Sequence, residues 1–345
     1  MERRVTVRDI AKKTGHHYST VSLALRGALR IPAGTRETIC RVAREMGYCP
    51  DPMVKALAYY RAAIKPPTYR ATLAWLVNDS QSVFRGDYNF KRCLQGAQQC
   101  AEGLGYKLEE FLLRSPGMTP ARMRNILLNR GVNGILVAPQ PNRRIRMRIP
   151  MDWSQFAAVS FGYTLAFPTL HCVASDHFRS VKLVVRKLRS MGYRRIGLCV
   201  HRIWNGRVNE GWLGGYLSET WNNPSPFRID PLLVEGWESS RIRKWINANR
   251  LDAVIVDDCG IIDRIKDSLR VPIPLKLGAA SLQVYDEDMI HSGIYQNGEE
   301  IGRQAVHLLV GMLHANQRGT PVIPQTLLIE GTWREGTTTR RGSAA

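Results

Sequence analysis

The stretch Val5-Thr6-Val7-Arg8-Asp9-Ile10-Ala11-Lys12-Lys13-Thr14-Gly15-His16-His17-Tyr18-Ser19-Thr20-Val21-Ser22-Leu23-Ala24-Leu25 reads as two short helices joined by a tight turn. Thr6 is an N-cap residue, and Asp9 three positions later can return the bond as in a capping box. The first helix covers Val7–Thr14, turns Ile10 and Ala11 inward, and stops at Gly15, which tolerates the left-handed backbone of a helix end. A turn over Gly15-His16-His17-Tyr18 leads to Ser19, and a second helix runs to about Leu25 with Val21, Ala24 and Leu25 inward. A third helix begins near Thr35, carries Ile39, Val42 and Met46 at core spacing, and ends at Gly47. Two short helices around a glycine-containing turn, with a third completing the core, are a helix-turn-helix.

The charge distribution agrees with that reading. The 345 residues hold 49 Lys+Arg against 29 Asp+Glu, a formal net charge of +20. Residues 1–70 contribute 14 against 5, or +9, so one fifth of the chain holds nearly half the excess. A polyanion is the partner such a module suits. Ile64-Lys65-Pro66-Pro67-Thr68 marks its end, because paired prolines stop a helix and favour an extended linker. The start of the chain lacks the apolar core of a secretory signal, and no apolar run reaches the roughly 20 residues of a membrane span. Cytoplasmic localisation without membrane partners is therefore expected. The seven cysteines form no CxxC pair, so neither a disulfide framework nor a zinc-ribbon spacing is expected. No metal, cofactor or catalytic residue is assigned.

The order Val5-Thr6-Val7-Arg8-Asp9-Ile10-Ala11, Gly15, Tyr18-Ser19-Thr20-Val21-Ser22, Pro32, Thr35-Arg36 and Met46-Gly47-Tyr48-Cys49-Pro50 closely resembles the DNA-binding end of the lactose-repressor/galactose-repressor family. The resemblance implies that Tyr18 and Ser19 meet base edges in the major groove. It places Thr20 and Ser22 against phosphate oxygens. Leu23 stands where the family often has a guanine-reading Arg, so this position can make only apolar contact, as with a thymine methyl. Arg26 replaces a common Asn and is a further phosphate or base contact. Thr6 and Thr35, at the starts of the first and third helices, complete the DNA-facing set, whereas His16 and His17 read as solvated turn residues. Asp51-Pro52-Met53-Val54-Lys55-Ala56-Leu57 matches the family's hinge helix, with Leu57 in the place of the residue wedged between base pairs in the minor groove. Met53 and Lys55 depart from the family's usual residues there.

Beyond residue 70 the chain alternates apolar runs with amphipathic helices, the pattern of parallel α/β sheets. Strands are expected at 71–77, 106–112, 134–138, 156–161, 195–200, 232–234, 253–256, 275–279 and 324–329. Helices are expected at 88–104, 119–130, 178–191, 209–220, 239–249, 261–269 and 299–315. Phrases such as Leu188-Arg189-Ser190-Met191-Gly192-Tyr193-Arg194-Arg195-Ile196 and Gln296-Asn297 extend the resemblance more loosely over the whole chain. It implies a small all-α helix-turn-helix domain (1–49), a hinge and linker (50–70), and a periplasmic-binding-protein-like α/β core of two parallel-sheet subdomains (71–345). The lobes are expected at about 71–172 with 297–320, and 173–296 with 321–340, joined by three crossovers. A short tail without leucine heptads gives no added tetramerisation coil.

A ligand in such a core sits beyond the strand C-terminal ends. Asn78, Asp79, Gln140, Tyr163, Asp176, Trp204, Trp212, Asp258 and Gln296 are the candidates there, and aromatics beside hydrogen-bonding groups suit a sugar or nucleoside-like effector. Sugar-binding members often carry an Arg where this chain has Trp212, and an Asp where it has Ala279-Ala280-Ser281. The usual Arg-and-Asp grip on a pentose or hexose is therefore missing.

These readings point to a sequence-specific transcription regulator, a repressor acting as a homodimer on double-stranded operator DNA. A small-molecule effector in the interlobe cleft would modulate it. A solute-binding protein of the same core fold is the alternative, opposed by the basic amino-terminal module. An α/β enzyme ranks third, because GxGxxG after a strand, GxxxxGK[ST], GxSxG and HExxH are all missing.

Overall fold

In a computed structural model of the chain, residues 5–25, 31–48, 71–80, 88–140, 145–222 and 229–340 are described. Arg26, Met53, Lys55 and Leu57 lie outside them, as does the whole hinge segment.

The amino-terminal module is three helices, α1 (Val7–Thr14), α2 (Tyr18–Leu25) and α3 (Ala33–Glu45). Thr6 and Asp9 form the expected capping box: the Thr6 amide donates to Asp9 Oδ2 at 2.8 Å and the Asp9 amide donates back to Thr6 Oγ1 at 3.3 Å. Gly15 ends α1 with φ +67°, a left-handed conformation that a residue with a Cβ adopts reluctantly. Ile10, Val21, Ala24, Ile39, Val42 and Ala43 meet in a closed apolar core. The second helix starts at Tyr18, one residue before the expected Ser19, because the His17 imidazole caps its first turn. Ser19 Oγ lies 2.8 Å from His17 Nδ1, and the Ser19 amide donates to the same nitrogen.

The body is two sheets. The first comprises β1 (Ala71–Val77), β2 (Tyr106–Leu112), β3 (Gly134–Val137), β5 (Ala157–Phe161), β7 (His171–Ser175) and β13 (Thr326–Ile329), in the order β13-β7-β5-β3-β1-β2 and all parallel. The second comprises β8 (Ile196–His201), β9 (Leu232–Val234), β10 (Ala253–Val256), β11 (Gly278–Ser281), β12 (Ser292–Tyr295) and β14 (Thr332–Arg334), in the order β14-β12-β11-β10-β8-β9, with β14 antiparallel. A small pair, β4 (Met147–Arg148) and β6 (Leu165–Phe167), lies apart.

Helices α4 (Tyr88–Gly103), α5 (Pro120–Asn129) and α11 (Gly298–His314) belong to the first lobe. Helices α6 (His177–Ser190), α7 (Arg202–Arg207), α8 (Gly211–Asn222), α9 (Ser239–Ala248) and α10 (Cys259–Leu269) belong to the second. Each sheet is apolar on both faces, as its unbroken runs require. Trp75, Val77, Val159 and Phe161 pack with Val306 and Leu309 on one face of the first sheet, and Leu76, Ile135 and Phe156 pack with Met123 and Leu127 on the other. Close approach of α4 and α11 depends on glycine: a Cβ on Gly302 would stand 2.0 Å from the Cys93 carbonyl oxygen.

Two expected boundaries are corrected. Strand β7 runs to Ser175 and β13 covers 326–329, and both pair in the first sheet. The first lobe therefore extends past residue 172 and takes residues 321–329 of the tail assigned to the second. The strand expected at 275–279 is shifted to 278–281, because β11 must register with Ala253–Val256 of β10.

Three crossovers join the lobes, and they are stitched together. The Asp176 amide donates to the Ile329 carbonyl at 2.8 Å. Asn297 has φ +54° and sends its Nδ2 to the Glu330 carbonyl at 2.7 Å and to Thr332 Oγ1 at 2.9 Å.

Candidate nucleic-acid interface and ligand cleft

On the amino-terminal module, α2 divides into an inner and an outer side. Val21 and Ala24 are buried while Tyr18 and Ser19 are exposed, and Thr20, Ser22 and Leu23 are partly so. Tyr18, 54% exposed, is held against the His17 ring at 4.4 Å between centroids. His17 is exposed in the turn, as expected, and its ring also contacts Tyr18 and Ser19. Thr6 is exposed and Thr35 partly so.

Between the lobes lies a cleft of about 830 Å³, including its solvent-open mouth. The first lobe contributes Asn89, Phe90 and Cys93 from α4, Phe161 to Thr164 after β5, and Ser175 at the end of β7. The second contributes Trp204, Arg207 and Val208 from α7 and its end, Trp212 from α8, and Gln283. His177 and Gln296 line it at the crossovers.

Of the sequence candidates, Tyr163, Trp204, Trp212 and Gln296 therefore come together here. Asn78, Gln140, Asp176 and Asp258 are not among the lining residues, because each is spent on structure. Asn78 Nδ2 donates to Gln140 Oε1 at 2.9 Å, and Arg114 donates to Asn78 Oδ1 at 2.9 Å. Asp176 and Asp258 cap α6 and α10 by accepting from the amides of Arg179 and Gly260. Asp79 accepts from the Ser80 amide and is likewise not in the lining.

Three buried polar atoms of the lining have no hydrogen-bond partner among the described residues: Asn89 Oδ1, Ser175 Oγ and Trp212 Nε1. Such groups each cost on the order of 1–3 kcal/mol when left unsatisfied, so their convergence on one cleft marks where a polar ligand is wanted. The His177 ring meets Trp212 edge-on at 5.5 Å. Burial lowers its pKa to about 4, so the imidazole is neutral near pH 7. Burial also raises Tyr163 to about 12, keeping its phenol protonated.

Arg207 is the charged member of the described lining. Its guanidinium stacks over Trp204 at 5.3 Å and donates to the Gln140 carbonyl at 2.7 Å. Between α7 and α8, Asn209 and Glu210 both take positive φ, at 54° and 57°, a cost borne beside the residues that line the cleft. Sequence reasoning missed Asn89, Ser175, His177 and Arg207. The one signal was the helix start at Asp176-His177.

A second set of contacts ties the lobes beside this cleft. Arg92 on α4 reaches Asp286 in the β11–β12 loop at 2.6 Å and Glu299 on α11 at 3.0 Å. The Asp286 amide donates to the Tyr88 hydroxyl at 2.8 Å, and Arg334 grips the Asp286 carboxylate from the second lobe at 2.7 Å.

With this geometry in hand, comparison with known proteins is specific. A family model described as "Bacterial regulatory proteins, lacI family" matches residues 6–51. The maltose regulon regulatory protein MalI of Escherichia coli (strain K12) is 23% identical over 238 residues, which are 67% of this chain and 64% of that protein. This chain thus matches just under two thirds of that relative's length. Among solved structures, a transcriptional regulator CelR–cellobiose complex aligns over 97% of this chain and 100% of its own, at TM-score 0.57 and 17% identity. A lac repressor dimer bound to operator and the anti-inducer ONPF aligns over 98% and 99%, at TM-score 0.56 and 17% identity. At such identity the structural likeness speaks for the fold, which is the helix-turn-helix and two-lobed α/β core described above.

Proposed function

We propose that this chain, whose residues 6–51 match the lacI family of bacterial regulatory proteins, is a sequence-specific DNA-binding transcription regulator, a repressor without enzymatic activity. It acts in the cytoplasm as a homodimer on a near-palindromic operator. Among the described residues, no helix is long and apolar enough to cross a membrane.

One observation carries the reading: α2 buries Val21 and Ala24 while presenting Tyr18 and Ser19 outward from its first turn. Base readout in the major groove needs that division. Tyr18, Ser19 and Leu23 read bases in this proposal, and Thr6, Thr20, Ser22, Arg26 and Thr35 take phosphates or flanking bases. Leu57 is the minor-groove wedge.

The cleft holds the effector. Its chemistry favours a molecule with one flat or apolar face to lie on Trp204 and Trp212. Polar groups on that molecule would satisfy Asn89, Ser175 and the Trp212 indole N–H. A carbohydrate or nucleoside meets these terms. Effector binding between the lobes would shift their closure and, through it, the hinge and the DNA affinity.

Selection of DNA from a random pool by the full chain is the test. A two-fold symmetric consensus, bound with affinity that falls steeply as salt rises, is expected. A consensus without symmetry would sink the dimer reading, and an isotherm indifferent to salt would sink the DNA reading. Deleting residues 1–65 should abolish operator binding and spare ligand binding.

A further inference from the structure

Apart from the cleft lining, Cys259, Asp288 and His291 converge on the second lobe. Cys259 is the first residue of α10, while Asp288 and His291 lie in the loop between β11 and β12. Each offers one ligand atom, and the three atoms lie within 4.8 Å of one another. Cys259 and His291 are 4% and 8% exposed. Asp288 is already fixed in place: its Oδ1 accepts from the amides of Ile290 and His291, each at 3.0 Å.

Hydrogen-bond accounting shows a surplus of acceptors. His291 Nδ1 lies 2.8 Å from Asp288 Oδ2, and its Nε2 lies 3.1 Å from Asp263 Oδ1. A neutral imidazole has one N–H to offer two carboxylates. A second proton on the ring resolves the shortage, and so does a cation between Nδ1 and Asp288. Nε2–H then donates to Asp263, and the Nδ1 lone pair is freed to coordinate. A carboxylate on the far nitrogen is the usual device for orienting a metal-bound histidine.

We propose that Cys259 Sγ, an Asp288 carboxylate oxygen and His291 Nδ1 bind one Zn²⁺-class divalent cation, with Asp263 positioning the imidazole. Thiolate, imidazole and carboxylate together select a borderline-soft ion over Mg²⁺ or Ca²⁺. The thiol donates to the Gln283 carbonyl at 3.1 Å. When the sulfur–metal bond forms, that proton leaves to solvent and the hydrogen bond is given up. Three protein ligands leave a fourth position for water. The ion would pin the loop that carries Asp286 to the start of α10, and so stiffen the second lobe's side of the Arg92–Asp286 contact.

The test is titration of the full chain, stripped with a chelator, with Co²⁺. A thiolate-to-cobalt charge-transfer band saturating at one ion per chain and displaced by Zn²⁺ is expected. Cys259→Ser removes the band and His291→Gln weakens binding. Asp263→Asn keeps the band but lowers Zn²⁺ affinity by about 10–100-fold; its side chain is 56% exposed, so the substitution opens no buried gap. Cys100 sits 3.6 Å from His307 and is the control pair, so Cys100→Ser leaves the band unchanged. Absence of a band on the wild-type chain overturns the proposal, as does a band that survives Cys259→Ser or is lost in Cys100→Ser. An unchanged Zn²⁺ affinity in Asp263→Asn overturns the positioning role.

Discussion

Arg92 of the first lobe and Asp286 of the second meet at 2.6 Å, with both side chains less than a quarter exposed. Burial alone would raise the Asp286 carboxyl. Hydrogen bonds at Tyr88, Tyr295 and Arg334, with the Arg92 charge, outweigh that and hold it below the usual carboxylate range. A depressed carboxyl contributes stability above its unfolded pKa of about 3.9 and loses it as pH falls through the folded value. Asp286→Asn should cost about 1–2 kcal/mol in urea unfolding at pH 7. It should also flatten the acid limb of the stability curve, and an unaltered limb would show that the contact contributes nothing.

The cleft makes a prediction with two opposed signs. Ser175→Ala removes a buried hydroxyl that has no partner among the described residues. The free protein should keep or raise its Tm, because an unsatisfied group is lost with little volume. Affinity for the effector should fall about tenfold, the equivalent of ~1.4 kcal/mol. Calorimetric titration of Ser175→Ala beside the wild type, with whichever carbohydrate or nucleoside a thermal-shift screen identifies, reads both. A variant that melts lower and binds equally well would remove Ser175 from the ligand's contacts.

At the head of α7, His201 binds Asp257 through Nδ1 at 3.0 Å and through its own amide at 2.9 Å. The Asp257 hydrogen bond raises the imidazole pKa against desolvation. A raised histidine contributes stability that is fully present below about pH 6.5 and lost as pH rises through the folded value. The Tm should therefore decline as pH rises above about 6.5 through the folded value, and His201→Gln should lose that slope. Because α7 carries Trp204 and Arg207, effector affinity should weaken over the same window.

On the DNA module, Tyr18→Ala and Ser19→Ala should cost about 1–3 kcal/mol on the preferred operator and relax selectivity at the bases they face. Lys12 and Lys13 are exposed on the last turn of α1. Neutralising one that contacts phosphate should weaken all DNA alike and lower the salt slope by about 1. Fluorescence anisotropy on matched and shuffled duplexes separates the two behaviours.

What the sequence made legible follows from length and period. The Thr6–Asp9 box, the Gly15 stop and the seven long helices of the core were readable because caps and 3.6-residue spacing are local. The strands at His171–Ser175 and Ser292–Tyr295 were not, since His171 and Ser175 in the one and Ser292 and Gly293 in the other interrupt the apolar run. Nor was α7, whose six residues are under two turns. Five of the nine named cleft candidates lie outside the lining for a physical reason: Asp176 and Asp258, for example, follow strands but are consumed as helix caps. The residues that replace them, Asn89, His177 and Arg207, stand on helices, and only the tertiary arrangement brings their polar atoms to one place.

The return of the chain to the first sheet has a consequence for synthesis. Strand β13 and helix α11 close the first lobe, yet they follow the whole second-lobe stretch from α6 to β12 in sequence. As the chain leaves the ribosome, Trp75 and Val159 therefore wait for Val306 and Leu309 with their apolar side uncovered. The later-made lobe holds all but its antiparallel edge strand by Tyr295 and can fold first, ahead of the lobe that begins before it. Neither lobe can be cut out as one continuous segment, and a nascent chain stalled before residue 314 exposes the surface that chaperones recognise.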